Sequence, residues 1–181
     1  MASILVTYAS KHGATQAIAE RIAEKLVASG QDAQVLPVKS VGDMAGYDAF
    51  VIGGAAYMGS WMKDVTGFVR RNQAILATRP TWLFSSGPLG TEARDTQGRD
   101  LLTVSEPKEF AELKDTIMPR DLRVFFGVLD PHKLGFTERA IRTLPAGRAL
   151  LPEGDFRDWD AIETWAESIA RELAPVMTSN S

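Results

Sequence analysis

The chain has 181 residues, 45% hydrophobic and 24% charged, the balance of a globular chain long enough to bury one substantial core. Its formal net charge of −3 supplies no basic field for nucleic acid or anionic lipid. The absence of cysteine excludes disulfides, thiolate metal or iron–sulfur sites and thiol nucleophiles.

Ser3–Tyr8 is a β-rich apolar run, as expected of a strand covered on both faces. Ile18, Ile22, Ala23, Leu26 and Val27 then recur at helical spacing, with Glu20, Arg21, Glu24 and Lys25 mainly opposite and Gly30 as the stop. Ala33–Val38 and Tyr47–Gly54 predict the second and third strands, and Trp61–Leu76 a helix. Thr81–Ser86 predicts the fourth strand, followed by a polar stretch over Gly87–Glu106 and a short helix near Pro107–Asp115. Leu122–Leu129 reads as the fifth strand and Asp158–Leu173 as a closing helix carrying Trp159, Ile162, Trp165, Ile169 and Leu173 inward. Strands alternating with helices imply an α/β fold with parallel pairing and right-handed crossovers. One domain is expected over residues 1–176, with 177–181 a disordered tail. No signal-peptide pattern precedes the first strand, and no apolar run approaches the roughly 18 residues of a spanning helix. A cytoplasmic protein is expected, with peripheral membrane contact left open.

Ser10-Lys11-His12-Gly13-Ala14-Thr15 lies between the first strand and the first helix. A glycine-containing turn opening onto a helix N-terminus offers backbone N–H donors and a favourable dipole to a phosphate. The hydroxyls of Ser10 and Thr15 can add donors. The simpler alternative is that Ser10 caps the helix and Gly13 relieves a turn. Neither a Walker pattern nor GxGxxG follows the strand.

Ile4 to Thr15 resembles the opening of flavodoxins, where a loop of form S/T-x-x-G-x-T holds the FMN phosphate. Phe50 to Gly59 is similar to that family's third strand and the loop beside the isoalloxazine, and Phe84–Gly87 to the fourth strand and its flavin-contacting loop. Val124–Leu129 and Gly154–Trp159 resemble a narrower branch, the menaquinone-dependent protoporphyrinogen oxidases and related flavodoxin domains. The resemblance implies a doubly wound five-stranded parallel sheet of order 2-1-3-4-5 with helices on both faces, and FMN at its carboxyl edge. It assigns to the cofactor Ser10, Lys11, His12, Gly13, Ala14 and Thr15 in the first loop. To these it adds Ala55, Ala56, Tyr57, Met58 and Gly59 in the second loop, and Ser86, Gly87, Pro88, Leu89 and Gly90 in the third.

Individual residues keep two readings. Tyr57 and Trp61 are candidates to stack on the flavin, though Trp61 equally suits the core. Gly59 matches a flavodoxin glycine whose peptide turns toward flavin N5; a plain turn needing positive φ is the alternative. Ser60 departs from the acidic residue often found next. Arg94 and Arg99 suit either a carboxylate-bearing substrate or a solvated loop face. Asp130, before Pro131, is explained by turn initiation rather than by acid catalysis. His12 suits either a donor to the phosphate or an exposed position beside it, and Lys11 either a direct contact or charge supplied nearby. Two histidines, His12 and His132, do not make a metal site.

The resemblance implies an FMN-dependent oxidoreductase, with protoporphyrinogen IX as the candidate electron donor and a quinone as the candidate acceptor. The alternative is a flavodoxin-type carrier docking with redox proteins. A receiver domain is excluded, because no acidic residues follow the first and third strands.

Overall fold

The alternation of side chains along the first strand decides how the sheet is clothed. In the computed structural model, which describes residues 1–174, β1 (Ser3–Ala9) sends Ile4 and Val6 to one face and Leu5 and Ala9 to the other, as a period of two requires. The first face is covered by α1 (Ala14–Ala28), through Ile18, Ile22 and Leu26. The chain returns through β2 (Asp32–Pro37) to pair parallel with β1, then passes to β3 (Ala49–Tyr57) on β1's other side.

β3 continues past the glycines that had marked its predicted end, because Gly53 and Gly54 are where rings crowd the sheet. A Cβ at Gly53 would lie 1.9 Å from the Phe84 ring, and one at Gly54 would lie 2.5 Å from Val65 and 2.8 Å from Trp61. Only glycine allows the central strand to persist under such contacts. Beyond Tyr57 the chain reverses into β4 (Ser60–Trp61), antiparallel to β3.

The helix predicted over Trp61–Leu76 therefore starts later, as α2 (Lys63–Arg71), and breaks before α3 (Gln73–Leu76). At the break the Asn72 side chain donates to the Phe68 carbonyl, a bond that competes with continuation of the helix. β5 (Thr81–Ser86) pairs parallel with β3. The polar stretch after it holds a turn built on Asp95, whose carboxylate accepts from the Gln97 and Arg99 N–H groups, and then a short helix, α4 (Leu101–Val104). Next, α5 (Glu109–Ile117) covers the second face with Phe110, Leu113 and Ile117.

β6 (Asp121–Phe125) completes the parallel sheet, whose order β2-β1-β3-β5-β6 is the predicted 2-1-3-4-5. The run predicted as one strand to Leu129 is interrupted at Gly127. Val128–Leu129 forms β7, which leaves the parallel sheet. Residues 130–153, including α6 (Phe136–Ile141) and α7 (Pro145–Leu150), form an excursion that closes when β8 (Gly154–Asp155) pairs antiparallel with β7. Last, α8 (Trp159–Leu173) packs Ile162, Trp165 and Ile169 beside α1. Trp159 is only partly buried, with the Arg21 and Arg157 guanidiniums 5.1 and 4.5 Å from its ring. The predicted tail at 177–181 lies outside the described residues. Among the described residues no helix is long and apolar enough to cross a membrane.

Candidate functional site

The carboxyl ends of β1, β3 and β5 leave the sheet side by side, and parallel pairing forces their three loops together. A cavity of about 340 Å³ opens among them, within the size range of small-molecule sites. Its floor and walls include Ser10, His12, Ala14 and Thr15 from the first loop, Ala55, Ala56, Tyr57 and Met58 from the second, and Ser86, Gly87 and Leu89 from the third. Lys11, Gly13, Gly59, Pro88 and Gly90 do not line it; they belong to the loops that frame it.

The first loop is shaped for an anion. Gly13 takes φ 88° at the start of α1 and no side chain caps the helix, so its leading N–H groups remain available. The Ser10 hydroxyl accepts from the Gly13 N–H at 3.0 Å, which shapes the turn. His12 has its Nε2 atom buried without a hydrogen-bond partner, a state that calls for a ligand. The Thr15 hydroxyl is engaged elsewhere, 2.8 Å from that of Ser86.

The second loop is a two-residue hairpin turn. Met58 and Gly59 have φ values of 50° and 73°, the double left-handed geometry of a type I′ turn. The Gly59 carbonyl accepts from the Lys108 N–H at 3.0 Å, tying the turn to the entry of α5. Met58 stands fully exposed on the rim and Tyr57 partly so; partial burial pushes the Tyr57 phenol above its ordinary pKa, while Lys11 opposes the shift. Trp61 is core: it is 2% exposed, donates Nε1–H to the Gly54 carbonyl at 3.0 Å and meets Phe110 edge-on. The third loop is tied to the link between β6 and β7, since the Gly127 N–H donates to the Pro88 carbonyl at 2.8 Å.

Sequence reasoning missed one wall. Gly127, Val128, Leu129, Asp130, Leu134, Glu138 and Leu151 all line the cavity, and all lie in or beside the excursion. Glu138 contacts the anion loop directly: its carboxylate accepts from Lys11 Nζ at 2.7 Å and sits 3.8 Å from His12 Nε2. The Lys11 hydrogen bond holds the Glu138 carboxyl below its ordinary pKa, and the same bond raises Lys11. The signal available was Gly135-Phe136-Thr137-Glu138, where Glu138 Oε2 accepts from the Gly135 N–H at 2.8 Å and starts α6. Asp130 makes the expected turn, accepting from the His132 N–H. Arg94 and Arg99 stay with their own loop, on Gly98 and Asp95, away from the cavity.

The family model described as Flavodoxin domain matches residues 5–145. No curated protein is significantly similar to the chain. Among solved structures, it is similar to a flavodoxin from the domain Archaea, at 16% identity and TM-score 0.58 over 94% of this chain and 97% of that one. A Streptococcus pneumonia TIGR4 flavodoxin matches at 17% identity and TM-score 0.56 over 95% and 100%. Rubredoxin oxygen:oxidoreductase from Desulfovibrio gigas matches at 15% identity and TM-score 0.58 over 94% of this chain, which spans only about a third (36%) of that protein's length. Identities this low speak to the fold; the family model, which spans most of the chain, shows the membership. The chain belongs to the flavodoxin domain family.

Proposed function

We propose that the chain is an FMN-dependent oxidoreductase that passes electrons from a reduced substrate to a quinone or another acceptor. Flavodoxin-fold homologues bind FMN. The observation that carries the reading here is the buried, unpartnered Nε2 of His12 beside the uncapped start of α1, at the end of a cavity bounded by the second and third loops. When bound, FMN supplies reversible electron storage; the chain supplies orientation and a dry setting.

On this reading Ser10–Thr15 hold the phosphate, largely through backbone N–H groups and His12, because Lys11 is already paired with Glu138. Ala55–Gly59 border one side of the ring and Ser86–Gly90 the other. The excursion's Leu134 and Leu151 add apolar wall that excludes water from the pocket. That extra wall supports a substrate-handling enzyme over a simple carrier. Carrier function is the second reading, supported by the similarity to solved flavodoxins.

Purification tests the cofactor: a yellow protein that releases FMN on denaturation supports the proposal, and a colourless one that fails to quench added FMN overturns it. Anaerobic turnover of protoporphyrinogen IX, or of other reduced organic substrates, with menaquinone analogues then separates enzyme from carrier. Reduction only by a partner reductase favours the carrier.

A further inference from the structure

Beside the main cavity the excursion forms a second, more open depression of about 390 Å³, and Leu134 lines both. We propose that this second cavity is an oxyanion subsite, receiving the carboxylate or phosphate of the substrate whose apolar body crosses Leu134 toward the flavin pocket. The inference rests on the oxidoreductase reading for the substrate's role, and on the excursion alone for the site.

Charge balance points to an anion. Arg139, Arg142 and Arg148 line the cavity, against the single carboxylate of Glu153. Glu153 contacts Arg142 Nη2 at 3.4 Å, too long for a strong ion pair. The other two guanidiniums are oriented by neutral backbone carbonyls. Arg139 Nη2 donates to the His132 carbonyl at 2.8 Å, and Arg148 Nε to the Arg142 carbonyl at 3.1 Å. Each such bond uses one of five donors, fixes the planar fork and leaves its charge uncompensated. Arg142 Nε is buried and unpartnered, a donor position that an oxyanion can satisfy. Pro131 and Leu134 give the cavity an apolar side, suited to an organic acid or an organic phosphate rather than to a fully hydrated ion.

The excursion holds these arginines in place through Glu138, which starts α6 by accepting from Gly135 and fastens it to Lys11 of the phosphate loop. The oxyanion subsite is therefore tied to the Ser10–Thr15 loop through the Lys11–Glu138 ion pair.

Calorimetric titration tests this with phthalate, its neutral diamide and inorganic phosphate, on FMN-loaded protein and on Arg139→Gln, Arg148→Gln and Arg148→Lys. Phthalate is expected to bind, the diamide not. Affinity should fall about tenfold or more in each glutamine variant, and Arg148→Lys should restore part of it. Equal arginine-dependent binding of inorganic phosphate identifies the phosphate source of the anion, and binding of phthalate alone the carboxylate source. Affinity unchanged in both glutamine variants overturns the proposal. So does loss confined to variants whose excursion has become cleavable by limited proteolysis. Flavin fluorescence read separately keeps the two claims apart: if FMN does not bind, the oxidoreductase reading fails, while arginine-dependent phthalate binding still stands or falls by itself.

Discussion

The hydroxyls of Thr15 and Ser86 lie 2.8 Å apart, both closed to solvent, and join the first turn of α1 to the end of β5. The pair fastens the Ser10–Thr15 loop to the strand bearing the opposite wall of the pocket. Removing either partner leaves a buried hydroxyl or its acceptor unsatisfied, at a cost of about 1–3 kcal/mol. Thr15→Val and Ser86→Ala should each lower stability by that amount in urea denaturation. The double variant should cost clearly less than their sum.

His12→Ala should weaken FMN binding about tenfold, the loss of one hydrogen bond to a charged group, while riboflavin binding stays unchanged. Flavin fluorescence quenching measures both. Equal losses for the two flavins would remove His12 from the phosphate site.

Glu138 places a negative charge beside the same loop. Glu138→Gln should tighten FMN binding by up to about fivefold, the scale of an exposed charge interaction. The same carboxyl sets an acid limit on the excursion. Its folded pKa is depressed below the ordinary 4.5, so its contribution is present above that value and is lost as the pH falls through the lowered one. Proteolysis of residues 130–153 should accelerate on acidification in the wild type, and Glu138→Gln should be equally cleavable on both sides of that transition.

The Met58-Gly59 turn can be improved and damaged. Nothing lies within 4 Å of a Cβ built at Gly59, so Gly59→Ala meets only the left-handed backbone penalty, about 1–2 kcal/mol. Met58 already bears that penalty at φ 50°. Met58→Asn should recover up to about 1 kcal/mol, since Asn-Gly is the preferred pair for this turn. Thermal or urea melts check both signs.

Trp61→Phe should reduce stability by about 1–3 kcal/mol through loss of its buried Nε1 bond. FMN affinity should be unchanged, because the ring packs on Phe110 and not in the pocket.

The sequence made the parallel sheet legible because its strands are apolar runs separated by amphipathic helices; Thr81–Ser86 was predicted to the residue. That the three loops after β1, β3 and β5 meet at one cavity followed from their places after those strands. What stayed hidden has local causes. Gly53-Gly54 read as a strand end, since the Phe84 and Trp61 rings that demand glycine there are distant in sequence. Asn72 stops α2 through a side-chain bond that periodicity does not encode. β7 and β8 have two residues each, too short for any alternation to register. With them went the excursion wall, Glu138 included.

The small β7–β8 ribbon has a wider consequence. Leu129 and Gly154 are paired neighbours, so the excursion departs and returns through a single doorway. Its length and chemistry can be rewritten without shifting any strand of the main sheet, although Leu134, Glu138 and Leu151 carry such a change into one wall of the cavity. Change in the excursion therefore reshapes the pocket from one side only, while the three loops at the carboxyl ends of β1, β3 and β5 keep their places.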